Sequence, residues 1–165
     1  MTFSPASFAS QLPHLGSGIW WVALSGGLDS RVLLHALVHL DLPVQIRALH
    51  VNHQISPNAN AWQQHCADLC ERLNVPFTAE RVRVENKGRG IEDAAREERY
   101  RVFERHLGAN DVLLTAHHAN DQAETLLLRL LRGTGPRGLA AMAQQRPLAS
   151  GILHRPLLAF SRADL

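Results

Sequence analysis

Residues 19–40, IWWVALSGGLDSRVLLHALVHL, carry the sharpest switch of hydrophobic pattern in the chain. Six apolar residues at 19–24 read as a buried strand, and an apolar helix running to about residue 40 follows a small, polar turn. Residues 44–51, VQIRALHV, predict a second strand, and 59–73 a helix with Asn58 as its N-cap. At 77–84 Val82 and Val84 alternate with Arg81 and Arg83, the pattern of a strand with one wet face. Residues 91–107 predict a helix whose stripe is Ile91, Ala94, Ala95, Val102, Phe103 and Leu107. A short strand at 112–116 leads into a polar crest at 117–120, then a helix at 121–132 closed by Gly133. Residues 152–158 read as a last strand, and Ser161 as the N-cap of a further helix. Ahead of all this, residues 1–17 are polar, with Phe3, Phe8 and Leu12 spaced for a short helix packed on the domain.

Alternating strands and helices predict an α/β fold, a doubly wound parallel sheet with helices on both faces. Ligands in that class lie beyond the carboxyl ends of strands. The crests at 25–30 and 117–121 both follow such ends, which points to one shared site. The expected organisation is an N-terminal segment, 1–17, and one domain, 18–165. The helix start at Ser161 lies so near Leu165 that the natural chain is expected to continue.

Composition narrows this only a little. A chain of 165 residues, 45% hydrophobic, suffices for one proper core. A net charge of +2 with ten neutral histidines allows nucleic-acid contact without demanding it. Cys66 and Cys70 form no CxxC pair or disulfide framework, which suggests a reducing compartment. No secretory leader and no apolar run of membrane length is visible, so a soluble cytoplasmic protein without membrane contact is expected.

Three glycine-rich patterns bear on phosphate binding. The GxxxxGK[ST] loop is absent. A literal GxGxxG at 133–138 follows a helix and contains Pro136, so it is no dinucleotide fingerprint. SGGLDS at 25–30 stands between strand and helix, where Gly26 and Gly27 permit close approach and first-turn N–H groups face the guest. Ser25, Gly26, Gly27, Leu28, Asp29 and Ser30 are therefore the candidate phosphate residues, against the plainer reading of a tight turn capped by serine. Arg31 adds charge beside them. His117 and His118 are adjacent and lack a third ligand at zinc spacing, which disfavours a metal pair. One is expected near the nucleotide and the other at the helix cap or in solvent. Arg96 and Arg99 have helix ion pairing as their plain reading.

In SGGLDS the chain resembles the N-type ATP pyrophosphatases, the PP-loop superfamily, which adenylate a carbonyl oxygen and release pyrophosphate. Within it the chain resembles the N-terminal domain of the tRNA(Ile)-lysidine synthetases. The stretches are ALSGGLDSRVLLHAL, ALHVNHQIS, GIEDAAREERYRVF, LLTAHHANDQAETLLLRLLRGTGPRGLAAM and HRPLL, covering most of 19–158. SGGxDS alone marks the superfamily; the AHHxxDQxET and LLRGxGxxGL runs are more specific.

The resemblance implies ATP and Mg²⁺ as cofactors, and tRNA(Ile) with a CAU anticodon and free L-lysine as partners. A homodimer is among the states open to the full-length protein. The domain would precede C-terminal tRNA-binding domains. ATP would activate C2 of the wobble cytidine, and the ε-amine of lysine would then displace AMP. Asp29 and Asp121 would hold Mg²⁺, and Asp29, Asp121 and Glu124 would carry the chemistry. Asp121 and Glu124 lie one turn apart, and their plain reading is charge at a helix start. His50 would join the nucleotide pocket, with a structural histidine as its equal alternative. Arg96, Arg132 and Arg137 would contact tRNA or phosphate; Arg129 and Arg146 share the basic loop at 133–138. The family's usual pattern differs at three places: Asn120 replaces the first of two acids, and Asn52 and Gln54 replace a histidine and a glycine. A tRNA thiolase, a small-molecule amidating synthetase and a non-catalytic nucleotide module remain the alternatives.

Overall fold

The computed structural model describes residues 2–13, 18–85, 88, 90–133 and 140–165. Six strands form one sheet: β1 (Trp20–Ala23), β2 (Ile46–Asn52), β3 (Phe77–Arg81), β4 (Val112–Leu114), β5 (Gln145–Leu148) and β6 (Gly151–His154). Their order is β3-β2-β1-β4-β6-β5. All neighbouring pairs are parallel except β5 with β6. The helices are α1 (Pro5–Ala9), α2 (Leu28–Val38), α3 (Ala59–Arg72), α4 (Ile91–His106) and α5 (Ala119–Leu131), with a 3₁₀ turn over Arg162–Asp164.

Alternation in β1 divides the core. Trp20, Val22 and Leu24 join Leu33, Leu34 and Leu37 of α2 and Cys66, Leu69 and Cys70 of α3. Trp21 points the other way, into a second cluster with Val102 and Phe103 of α4 and Leu113 and Leu153. Phe8 of α1 is wholly buried in the first cluster. The doubly wound expectation holds.

Asp111 fastens the opposite end of the sheet. Its carboxylate accepts from the Ile19 amide at 2.8 Å, the Gly108 amide at 2.9 Å and the Trp21 indole at 3.3 Å. Those bonds tie the entrances of β1 and β4 together. The chain moves outward from β1 through β2 to β3, then returns to lay β4 on the other side of β1. The order therefore reverses between β1 and β4, and a crevice opens beyond their carboxyl ends.

Several expectations need correction. β5 was not foreseen: QRPL carries a proline, which an edge strand tolerates, and its hairpin makes the sheet mixed. The expected strand at 152–158 ends at His154. β3 stops at Arg81, so Val82 and Val84 lie beyond the sheet. Ile91 of the predicted α4 stripe is 43% exposed, and burial is confined to Val102 and Phe103 within the helix. α5 starts two residues early, so Asn120 belongs to the helix rather than the crest.

Candidate active site

The turn after β1 is built around one hydrogen-bond circuit. Ser30 Oγ donates to the Gly27 carbonyl at 3.0 Å, so the 3.0 Å contact between Ser25 Oγ and Ser30 Oγ has Ser25 as donor. Ser25 Oγ in turn accepts from the Gly27 amide at 3.3 Å. Gly26 has φ +90°, and a Cβ there would lie 3.2 Å from Cys66 Sγ. The positive φ favours glycine, and any side chain there would also press on Cys66. Helix α2 has Gly27 as its N-cap and no side-chain cap. Its first-turn amides are thus left for an anion, favoured by the helix dipole.

The start of α5 is different. Asp121 Oδ2 accepts from the amide of His118, the N-cap residue, at 2.9 Å. This helix caps itself, so the plain reading of Asp121 is realised whatever else it does. His118 is only 5% exposed and links the two crests. Its Nε2 lies 3.6 Å from Asp29 Oδ2, and its Nδ1 lies 3.4 Å from Asp121 Oδ2. Asp29 and Asp121 thus sit on opposite sides of one imidazole. Glu124, one turn further on, is exposed.

Asp29 Oδ1 is buried without a hydrogen-bond partner, and Arg162 Nε approaches it to 3.6 Å. In the sequence Arg162 is only part of the helix start at Ser161, and Asn120 explains its placement near the site. The Asn120 side-chain oxygen accepts from the Arg162 amide at 2.9 Å, holding the 3₁₀ turn against α5. Among the described residues no three acids, histidines or cysteines gather as a metal cage. Mg²⁺ needs no such cage, since one or two carboxylates complete its shell with water and phosphate oxygens. The orphaned Asp29 oxygen beside an open phosphate cradle fits that requirement. Asp121, across the imidazole, is not beside it.

A cavity of about 520 Å³ lies between these elements, a size typical of small-molecule sites. Ser25, Asp29 and Ser30 line it together with His50, Trp62 and Arg99. His50 is buried, and its Nδ1–H donates to the Leu24 carbonyl at 2.8 Å, which leaves Nε2 as a free acceptor. Burial lowers its pKa, so it is neutral in the working range. Asn52 donates to Asn60 Oδ1 at 3.1 Å and Gln63 Oε1 at 2.9 Å, clamping the end of β2 to α3. Gln54 adopts φ +55°, a conformation that suits the glycine usual in the resembling family.

His117 lines the cavity and shares a 2.9 Å hydrogen bond with Thr115 Oγ1. Burial, and then the positive charge of Arg155, push its pKa down to about 4, so it is a neutral ring. Neither histidine of the pair is a metal partner of the other. Trp62 and Ile55, both exposed, also line the cavity. No periodicity could mark them, because each sits where a core position is not expected.

The arginines separate into two groups. Arg132 is exposed at the end of α5, and Arg129 donates to the Ala141 carbonyl at 2.8 Å. Arg137 lies outside the described residues. Arg146 is elsewhere: its guanidinium stands 5.2 Å from the Tyr100 ring centre, and that of Arg96 stands 5.3 Å from it.

Residues 5–165 match the PP-loop domain family. The chain belongs to that family. It is 53% identical over 147 residues to the tRNA(Ile)-lysidine synthase of Coxiella burnetii, covering 87% of this chain and 33% of that protein. Against the tRNA(Ile)-lysidine synthase of Pseudomonas aeruginosa it is 54% identical over 157 residues, covering 93% of this chain and 35% of that protein. The chain thus spans about a third of the length of the curated relatives it matches. Its fold is similar to that of a U34-tRNA thiolase from Methanococcus maripaludis solved with its [4Fe-4S] cluster. That likeness has a TM-score of 0.76 at 16% identity, covering 97% of this chain and 59% of that one, and it concerns the fold alone. No helix among the described residues is long and apolar enough to cross a membrane.

Proposed function

We propose that this PP-loop domain is the ATP-using part of a cytoplasmic ligase that joins free L-lysine to C2 of the wobble cytidine in tRNA(Ile). The observation that carries the reading is the uncapped N-terminus of α2 at the switch point, opening on a cavity of nucleotide size. The similarity to curated tRNA(Ile)-lysidine synthases supports the substrate.

In the first step the cytidine C2 oxygen attacks the α-phosphorus of ATP, and the bond to the β-phosphate bridging oxygen breaks. Pyrophosphate leaves with that electron pair, and the α2 amides with the Ser25 and Ser30 hydroxyls receive its charge. Mg²⁺, held by Asp29 and the nucleotide phosphates, would offset that charge. In the second step the lysine ε-amine attacks C2, and AMP departs carrying the former base oxygen. An amine with pKa about 10.4 must first lose a proton. Asp121 is already engaged by the His118 amide, which leaves Glu124 as the proton acceptor and Asp121 as its orienting neighbour. His50 Nε2 offers the nucleotide an acceptor from the end of β2.

A sulfur-transfer reading is disfavoured because Cys66 and Cys70 are buried, with thiols pushed up to about 11 by burial. The test is pyrophosphate release from ATP by the full-length protein, with tRNA(Ile) and lysine each omitted in turn. Release should require tRNA, and AMP formation should require both. Release indifferent to tRNA and lysine would overturn the reading.

A further inference from the structure

Helix α5 carries Asp121 and Glu124, yet among its described residues none is buried and none belongs to either core cluster. Its place is set instead by hydrogen bonds to other segments. The Ala119 amide donates to the Phe160 carbonyl at 2.8 Å, and the Asn120 oxygen holds the Arg162 amide. Gln122 Nε2 donates to the Met142 carbonyl at 2.8 Å, and Gln122 Oε1 accepts from the Met142 amide at 2.7 Å. Just before the helix, the Thr115 amide donates to the His154 carbonyl at 3.1 Å, and Thr115 Oγ1 holds His117. Residues 142–162 thus brace the second crest. Each such bond replaces one to water and is worth little alone, so the crest is only as well placed as its brace.

The N-terminal segment grips that brace at two points. His154 Nε2 donates to the Gln11 carbonyl at 2.7 Å, and Gln144 Nε2 donates to Gln11 Oε1 at 3.2 Å. The half-buried Phe3 meets Phe160 edge-on, ring centres 5.2 Å apart, and lies 5.6 Å from Phe8. Phe8 and Phe160 are wholly buried. α1 is preset by a reciprocal cap: the Ser7 amide donates to Ser4 Oγ at 3.2 Å and the Ser4 amide to Ser7 Oγ at 2.9 Å, with Pro5 in the first turn. His154 and Phe160 are therefore each used twice. The N-terminal segment takes the side chain, and the crest takes the backbone carbonyl.

We propose that the N-terminal segment is a clasp that positions the second crest of the site, with Phe3 and His154 as positioning residues. The effect on turnover rests on the ligase reading. Neither Phe3 nor His154 lines the cavity, so both act through Thr115 and Ala119. The α2 turn is held separately, by Leu33, Leu34 and Leu37 in the core and by its own serine circuit. Loosening the clasp is felt at one crest and not at the other.

Hydrogen–deuterium exchange of the full-length protein tests this by comparing residues 25–34 with 115–125. Phe3→Ala should exchange roughly tenfold faster at 115–125, with 25–34 unchanged. His154→Leu removes the donor to Gln11 but keeps the backbone carbonyl, and should do the same; either variant suffices where the other fails to fold. Phe3→Leu, which returns apolar bulk, should recover most of the protection. With ATP, tRNA(Ile) and lysine, Phe3→Ala should lower kcat for AMP formation by roughly three- to tenfold, while the calorimetric Kd for ATP stays at the parent value. Unchanged exchange at 115–125 would overturn the clasp, as would equal acceleration at 25–34, which marks a segment serving the whole fold. Faster exchange at 115–125 with unchanged kcat would also overturn it. Absence of AMP formation by the parent would defeat the ligase reading, while the exchange comparison would still decide the clasp.

Discussion

Asp29 is the residue on which two lines of chemistry meet. One oxygen faces His118, and the other is a buried orphan near Arg162. Asp29→Asn keeps the shape and removes the charge, so pyrophosphate release should fall by roughly 100-fold or more. The melting temperature should stay near that of the parent; near-normal turnover would remove Asp29 from the site. Asn120 was the place where the familiar pair of acids is broken. Its oxygen is used as a backbone acceptor for Arg162, a role that a carboxylate fills equally well. Asn120→Asp should therefore turn over within about twofold of the parent, while Asn120→Ala, with the acceptor gone, should lose several-fold. A dead Asn120→Asp variant would contradict that assignment.

His117 yields a pH prediction. Its folded pKa of about 4 lies below the ordinary 6.5, so the unfolded chain binds more protons between those values. Stability should fall as pH drops from about 6.5 towards 4. Melting curves across pH 4.5–7.5 (about that window) should show a shallower dependence for His117→Gln. It will not vanish, because His50, His53 and His154 are also lowered by burial. An unchanged slope would place His117 outside this linkage. Ser25, Asp29 and Ser30 were legible because a glycine turn between strand and helix has few other uses. Arg99, Trp62 and Arg162 were not, since a charged or aromatic residue declares its partner only once the chain has folded.

At the level of elements, the strand-turn-helix unit β1–α2 was readable from pattern alone. The β5–β6 hairpin was not, because QRPL has neither alternation nor β-branched residues and pairs only through its neighbour. α4 shows the same limit: its stripe was drawn through Ile91, but only its later turns reach the sheet. Gly26 tests the loop as an element. Gly26→Ala places a side chain at φ +90° and 3.2 Å from Cys66 Sγ. ATP binding, followed by titration calorimetry, should weaken by roughly tenfold or more, since the left-handed strain alone is about 1–2 kcal/mol. A Cys66→Ala change in the same chain should restore only part, as it relieves the contact but not the backbone. Full restoration would show that φ at Gly26 does not matter.

Across the whole molecule, the far end of the sheet is fastened and the switch-point end is left open. Asp111 satisfies three donors at the fastened end. Asp111→Ala should cost about 1–3 kcal/mol in denaturant unfolding, while the apparent Kd for ATP in folded protein stays unchanged. A changed Kd without lost stability would mean that the two ends are coupled. The doubly wound class, and the convergence of two crests, followed from the order of strands and helices. The meeting of Arg96 and Arg146 over the Tyr100 ring did not, because α4 and β5 come together only in the folded chain.

The most direct measurement is mass spectrometry of the wobble nucleoside of tRNA(Ile) after incubation with the full-length protein, ATP, Mg²⁺ and lysine. The expected product has the mass of cytidine plus lysine less one water, and is absent with Asp29→Asn. An unmodified cytidine, despite ATP turnover by folded protein, would contradict the assignment of the α2 loop to base activation.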